Sequence, residues 1–238
     1  MPSPRLYFDP IFEKKLKCLP WNLPLEKWRP RGYTFIDYRK GLSRHTVRFI
    51  RVQGSALAIK QTGEYFARLE IANLKKLLQM GIHTLIPAGY AVFDDKPIEI
   101  KTKTGNFFEK NDRAYVVTVL EDKALPDSYL FRLNFEEKNR KRIWIAVTEL
   151  LASIHHSNIY WGDASLANVL IKFIKESDEK GRKRTVLKAF LADAETLEIQ
   201  NHLSHKLRKE ELDFFFESMV GFIKILLWEA IGVVKPLL

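Results

Sequence analysis

The chain has 238 residues, 46% of them hydrophobic and 12% aromatic, which suffices for one large domain or two small lobes with a buried core. Its formal net charge of +10 favours anionic partners, whether nucleotide, phosphorylated lipid, nucleic acid or an acidic membrane surface. The single cysteine, Cys18, excludes an internal disulfide and a cysteine-based zinc site, and it fits a reducing compartment.

Residues 1–31 are rich in proline and contain Trp21 and Trp28. Proline interrupts helices, so we predict an extended arm that packs its tryptophans on the body of the protein, with a partner-binding arm as the alternative. The stretch has no apolar core of signal-peptide length, and charged residues interrupt the apolar region 214–238. We therefore expect a cytoplasmic protein, with contact at the inner face of a membrane left open.

Three segments with strand-like composition follow at 32–38, 45–52 and 56–60, and short loops join them into an antiparallel meander. The first loop contains Gly41 and Ser43, whose backbone N–H groups can cover phosphates. Because the loop has only one glycine, a solvated cationic hairpin is an equally good interpretation.

The third strand reads Ala-Ile-Lys and ends at Lys60, and a helix with apolar residues at helical spacing follows over 63–80. Glu70 lies beside the apolar stripe of that helix, where a carboxylate can face inward and pair with a strand lysine. Further strands are predicted at 85–93 and 114–120. Residues 32–120 thus comprise five strands and one helix.

The second half begins with a short helix expected within 128–135, and a long amphipathic helix follows over 139–155. A strand pair is predicted at 169–174 and 186–192, and a last helix at 206–234. The inner face of this helix is expected to carry mainly apolar side chains, namely Leu212, Phe215, Phe216, Met219, Phe222, Ile223 and Leu226. The adjacent His155 and His156 are interpreted as structural, since neighbouring residues of a helix cannot both face one metal ion.

The loop before the strand pair reads Tyr-Trp-Gly-Asp-Ala-Ser-Leu-Ala-Asn, with Asp163 five residues before Asn168. Asp193 follows the return strand. The Asp-x-x-x-x-Asn spacing is that of a kinase catalytic loop, in which the Asp meets the acceptor hydroxyl and the Asn holds Mg²⁺. The alternative is a turn in which Asp and Asn bond their own backbone.

The order of these features resembles the protein kinase-like superfamily over residues 32 to about 200. The Trp161-Gly162-Asp163-x-Ser165-x-x-Asn168 form and the Asp193-x-Glu195 form are most similar to the bacterial lipopolysaccharide (Kdo/heptose) kinase-like families. The resemblance implies an α+β, two-lobed fold. Its N-lobe would have five antiparallel strands and one helix over 32–121, and its small C-lobe would be mainly helical over 122–238.

The resemblance also implies roles for individual residues. Lys60 would hold the ATP phosphates and pair with Glu70, and Asp163 would accept the proton of the acceptor hydroxyl. Asn168 and Asp193 would bind Mg²⁺. The loop with Gly41 and Ser43 would cover the phosphates, and backbone groups around Glu121 would meet the adenine edge.

The implied activity is ATP- and Mg²⁺-dependent phosphoryl transfer to a hydroxyl of a sugar, a lipid-linked sugar or a protein Ser/Thr. No His-Arg pair precedes Asp163 and no Ala-Pro-Glu follows Asp193, so regulation through a long activation segment is not expected. A catalytically weak pseudokinase that docks on an anionic membrane or on RNA is the alternative. Nucleic acid is the less favoured of these two partners, and adenylyl transfer is a third activity compatible with the same residues.

Overall fold

The structure of the chain, a computed structural model, describes residues 3–37, 45–93, 98–101, 107–110, 113–121, 124–126, 137–177, 181 and 183–230. For 98–101, 107–110, 126, 137–138 and 221–230 it describes the backbone alone. The predicted loop residues Gly41 and Ser43 and the short helix expected within 128–135 lie outside the described residues.

The chain folds into two compact units. The first contains Met1–Tyr38, Ser43–Gln79 and Leu85–Asp122, and the second contains Arg39–Leu42, Met80–Thr84 and Lys123–Leu238. The predicted site residues that the structure describes are therefore divided between the two units. Lys60, Glu70 and Glu121 lie in the first unit, and Asp163, Asn168 and Asp193 lie in the second.

The first unit is built on a six-stranded antiparallel sheet with the order β1-β5-β8-β4-β3-β2. Its strands are β1 (Arg5–Phe8), β2 (Tyr33–Phe35), β3 (Val47–Val52), β4 (Ser55–Thr62), β5 (Pro87–Val92) and β8 (Ala114–Val119). The hairpin of β6 (Ile98–Lys101) and β7 (Phe107–Lys110) and helix α2 (Glu64–Gln79) belong to the same unit. The five strands predicted within residues 32–121 are all present in this sheet, and β1, from the segment before residue 32, adds a sixth.

The extra strand comes from the segment that we interpreted as an extended arm. β1 pairs antiparallel with β5, and helix α1 (Pro10–Leu16) follows it directly. Asp9 caps this helix through its side chain, which accepts a hydrogen bond from the Ile11 N–H, and Pro10 takes the first helical position. Proline prevents a long helix but is favoured at the start of a short one, which explains the difference.

The tryptophans of this segment pack in the core of the first unit, as predicted. Trp21 and Trp28 are buried, and their rings lie 5.3 Å apart at a near-perpendicular angle. Each indole N–H donates to a backbone carbonyl, that of Leu16 and that of Leu23 respectively. The buried aromatic rings therefore leave none of their own polar atoms without a partner.

The second unit combines two long helices with small sheets. Its elements are β9 (Leu125–Pro126), α3 (Glu137–His156), β10 (Ile159–Tyr160), β11 (Val169–Ser177), β12 (Lys183–Leu191), β13 (Glu198–Ile199) and α4 (His205–Ala230). The hairpin of β11 and β12 forms a three-stranded sheet with β9, and β10 pairs with β13. Both long helices occur where the apolar periodicity predicts them.

The inner face of α4 differs from the prediction. Phe215 is buried, but Leu212 and Phe216, both expected in the core, are 37% and 52% exposed. The helix instead turns Glu211 inward, four residues before Phe215 and on the same face. The apolar spacing of the sequence does not predict this orientation of the helix. A hydrophobicity pattern places charged residues such as Glu211 on the exposed face.

Candidate functional site

The first unit positions Lys60 and Glu70 as a buried ion pair. Lys60 lies on β4, where it pairs with Val116 of β8, and Glu70 lies on the buried side of α2. The Lys60 Nζ and Glu70 Oε2 atoms are 2.8 Å apart, with side chains only 13% and 3% exposed. The structure therefore brings together the two residues that the sequence could only match by motif order.

Glu121 follows β8 at the end of the first unit's sheet and is half-buried. The backbone just before it is fixed by two hydrogen bonds: the Val119 N–H donates to Ile86 O at 2.8 Å, and the Leu120 N–H donates to Ala56 O at 2.9 Å. The backbone that leads to Glu121 is therefore held in place by Ile86 and Ala56.

In the second unit, Asp163 and Asn168 lie at the two ends of one loop. The Asn168 Nδ2 donates to the Asp163 carbonyl at 3.0 Å, and the Ser165 N–H donates to the same carbonyl at 2.9 Å. A single turn of 3₁₀-helix, Leu166–Asn168, then leads into β11. Because the amide nitrogen of Asn168 is used as a donor, its amide oxygen is the atom left to bind a cation.

The segment of Asp193 is tied to this loop by backbone and side-chain hydrogen bonds. The Ala192 N–H donates to the Asn168 carbonyl at 2.9 Å, and the indole N–H of Trp161 donates to the Asp193 carbonyl at 2.9 Å. Asp193 Oδ1 accepts from the Glu195 N–H at 3.1 Å. A carboxylate and an amide oxygen are thus held on neighbouring, mutually bonded segments, and they are ligand types that Mg²⁺ prefers.

Trp161 and Gly162 together shape the loop just before Asp163. Trp161 is fully buried, and its carbonyl accepts a hydrogen bond from the Thr196 hydroxyl at 2.9 Å. Gly162 has a φ of 79°, and a Cβ at this position would lie 2.9 Å from Thr196 O. The tight turn therefore requires glycine for both its backbone conformation and the space beside Thr196.

Glu211 is the residue of this site that the sequence did not reveal. Its Oε1 accepts from the N–H groups of Trp161 and Gly162, and its Oε2 lies 2.8 Å from Nε2 of buried His155. One carboxylate of α4 thus holds the backbone on which Asp163 sits. The motif around Glu211 is an ordinary amphipathic helix, so only the fold distinguishes it from its neighbour Glu210.

No protein-family model matches the chain, and no curated protein matches it either. Among solved structures, the lipopolysaccharide heptose kinase WaaP, in complex with acyl carrier protein, matches with a TM-score of 0.53 and 15% identity over 91% of this chain and 81% of WaaP.

Two further structures match at TM-scores below one half. Rio2 kinase from Chaetomium thermophilum has a TM-score of 0.47 and 16% identity over 76% of this chain and 55% of its own. The ROP18 kinase domain, in complex with AMP-PNP and sucrose, has a TM-score of 0.45 and 15% identity over 85% and 58%. At such identities the similarity to WaaP concerns the fold alone. It shows that the chain has the protein kinase-like fold that its motif order predicts.

Proposed function

We propose that the chain is an ATP- and Mg²⁺-dependent phosphotransferase that moves the γ-phosphoryl group of ATP to a hydroxyl of a sugar, a lipid-linked sugar or a protein. The observation that supports this most strongly is the buried Lys60–Glu70 pair, 2.8 Å apart. Burying two charges is costly, and a hydrophobic pair is often at least as stable, so such a pair is a weak choice for stability alone. A role in positioning Lys60 for phosphate binding would explain why the chain buries this ion pair.

Lys60 is proposed to bind the α- and β-phosphates. The Glu70 carboxylate, 2.8 Å from Nζ, holds the ammonium group in place and directs it. The loop around Gly41 and Ser43 is proposed to cover the phosphates with its N–H groups, and the backbone around Glu121 to meet the adenine edge. These assignments follow the kinase resemblance.

Asn168 and Asp193 are proposed to hold Mg²⁺, which when bound neutralises phosphate charge and orients the transferred group. The donor set fits this ion, since Asn168 keeps its amide oxygen available and Asp193 contributes a carboxylate. Glu195, 8% exposed and bonded through its N–H to Asp193, is a further carboxylate beside these ligands.

Asp163 is proposed to orient the acceptor hydroxyl and accept its proton. Its backbone is fixed on both sides, by Asn168 and Ser165 through its carbonyl and by Glu211 through the preceding N–H groups. Little covalent chemistry is required of the protein in phosphoryl transfer, so a well-positioned carboxylate and compensated phosphate charge supply most of what catalysis needs.

The acceptor is proposed to be anionic or to lie at an anionic surface, because the chain carries a net charge of +10. A cytoplasmic enzyme that contacts the inner face of a membrane fits this charge. Among the described helices, none combines the length and apolar character that crossing a membrane requires.

The test is a transfer assay with ATP labelled on the γ-phosphate, Mg²⁺, and a panel of sugars, lipid-linked sugars and Ser/Thr proteins. We expect labelled acceptor together with ADP. Asp163→Asn should lower kcat by roughly 10²- to 10⁴-fold, the usual contribution of a general base, with nucleotide affinity retained. The matched control is Asp213→Asn, an exposed aspartate of α4, which should leave the rate unchanged.

Pyrophosphate as the product would instead identify adenylyl transfer. Full activity of Asp163→Asn would show that the role assigned to Asp163 is wrong. Absence of nucleotide binding would favour the pseudokinase alternative.

A further inference from the structure

The positive charge of the chain is concentrated in one stretch of the first unit. Residues 27–51 contain eight lysines and arginines but a single aspartate, in a chain whose formal net charge is +10. Three of these cations, Arg29, Arg31 and Arg48, are exposed and lie near β2, the outer strand of the six-stranded sheet. We call these three residues the arginine surface.

The arginine surface is gathered around two aromatic rings of β2. Burial raises the pKa of Tyr33, and the nearby charges of Arg29 and Arg31 oppose this shift. The Arg48 guanidinium lies 5.5 Å from the centre of the Phe35 ring, and that ring is 5.7 Å from the ring of Tyr33. All three guanidinium groups therefore lie near the same pair of rings.

The strand register places Arg48 on the same face of the sheet as these rings. Tyr33 pairs with Val52 and Phe35 with Ile50, and residues two apart on a strand share a face. Arg51 is also exposed, but it lies on the opposite face of β3. The arginine surface thus belongs to one face of the sheet.

Little of this charge is neutralised within the described part of the chain. Arg29 donates to the carbonyls of Glu26 and Trp28, and Arg48 contacts Phe35, so neither guanidinium is paired with a carboxylate there. Glu26 is an acid beside the surface, and its Oε1 accepts from the Thr46 hydroxyl at 3.2 Å. Asp37, also exposed, follows the end of β2. More cations than acids therefore remain exposed here.

We propose that the arginine surface binds a membrane that contains anionic phospholipids. Each Lys or Arg near an anionic membrane surface strengthens binding by about fivefold, and guanidinium groups bind phosphate oxygens through paired N–H donors. Phe35 is 38% exposed among these cations, and an apolar ring beside cations suits the boundary between headgroups and acyl chains. The proposal locates the membrane contact and holds whether or not the chain transfers phosphate.

The same contacts disfavour single-stranded nucleic acid as the occupant. Binding of such strands depends on aromatic rings on which bases stack. Tyr33 is buried, and the Phe35 ring is already contacted by Arg48 and by the ring of Tyr33. The surface therefore offers charge without a free stacking platform.

The test is co-sedimentation of the full-length protein with vesicles made of phosphatidylglycerol and phosphatidylcholine in equal parts. We expect binding that weakens as salt rises from about 0.1 M to about 1 M, because salt screens exposed charges. Vesicles of phosphatidylcholine alone should bind far less protein.

Three variants check the location. The triple variant Arg29→Gln, Arg31→Gln, Arg48→Gln should weaken vesicle binding roughly 10²-fold. Replacing the same three arginines by lysine keeps the charge and should retain most of the binding. The charge-matched control is Arg51→Gln, Lys75→Gln, Lys76→Gln, whose exposed cations lie on the opposite face of β3 and on α2, which packs on that opposite face. It should bind nearly as the wild type does.

The proposal is overturned if the glutamine triple variant and the charge-matched control bind vesicles equally well, or if neutral vesicles bind as much protein as anionic ones. Single-stranded RNA that binds through these arginines while anionic vesicles do not would also overturn it. The shift in melting temperature with MgATP should be the same in the glutamine triple variant and the wild type. Failure of the membrane surface is thereby distinguished from failure of the nucleotide site.

Discussion

At the scale of single residues, the candidate catalytic loop depends on one buried carboxylate. Glu211 is 4% exposed, accepts two backbone N–H groups from the residues before Asp163, and meets His155 with its other oxygen. The motif of Asp163 and Asn168 could be predicted from sequence because its spacing is local. Glu211 could not, because its partners lie about fifty residues away.

Glu211→Ala should therefore destabilise the protein markedly. It leaves buried N–H groups without an acceptor, at about 1–3 kcal/mol each. Glu211→Gln keeps one acceptor oxygen and should recover most of the loss. Urea denaturation measures both, and Glu210→Ala, a change at the exposed neighbour, serves as the control with an expected effect within about 0.5 kcal/mol.

The same series tests the positioning role. With a working acceptor, Glu211→Gln should change kcat more than KM for ATP, because the carboxylate orients the loop and does not contact the nucleotide. Equal stability of Glu211→Ala and the wild type would contradict the assigned hydrogen bonds.

A second residue-scale prediction concerns His83. Burial, aided by the Lys188 ammonium and opposed by Glu176, holds the pKa of His83 below its ordinary value. The unfolded chain therefore binds the proton more readily, and folding stability should decrease as the pH falls through about 6.5.

Urea denaturation at about pH 7.5 and about pH 5.5 compares the two protonation states, which lie on either side of the ordinary histidine pKa. The wild type should lose more stability on acidification than His83→Gln, which cannot titrate. A titration midpoint of His83 above that of a free histidine in NMR would show the opposite sign.

At the scale of elements, the six-stranded sheet shows which part of the fold the sequence reveals. Strands β2, β3, β4, β5 and β8 follow from β-branched and aromatic segments between turns. β1 is only four residues long and lies between prolines, so local composition did not distinguish it from an arm. Its place is decided by tertiary packing on β5, which a local pattern does not contain.

Gly89 is the point at which β1 and β5 meet most closely. A Cβ at Gly89 would lie 2.3 Å from Tyr7 O and 2.6 Å from the Cα of Phe8, so Gly89→Ala should displace β1. We expect the free energy of unfolding to fall by about 3 kcal/mol. The backbone of β1 must move to make room for the Cβ, and an alanine is strained at a φ of 129°. Thermal or urea denaturation measures the loss.

Gly54→Ala is the matched control. Gly54 also has a positive φ, 80°, but nothing lies within 4 Å of a Cβ there, so backbone strain alone should cost about 1 kcal/mol. Equal losses in the two variants would mean that β1 does not pack on β5 as described.

At the scale of the whole molecule, the fold is protein kinase-like, and the order of the motifs along the chain predicted it. Long amphipathic helices and the β11–β12 hairpin follow from periodicity, whereas the exposed positions of Leu212 and Phe216 do not. The helix α4 is oriented by Glu211 and Phe215, and polar anchoring of this kind overrides the apolar pattern. The central claim that remains to be measured is use of MgATP.

The most direct measurement is the shift in melting temperature caused by millimolar MgATP. A ligand at about 100 times its Kd stabilises by about 2.7 kcal/mol, which raises Tm by roughly 5–10 °C for a chain of this size. The double variant Lys60→Met with Glu70→Gln, which removes both buried charges, should lose most of this shift, and Lys14→Met, at an exposed lysine, should keep it. A wild-type Tm that does not move with MgATP, or an equal shift in the double variant, would contradict the proposed nucleotide site.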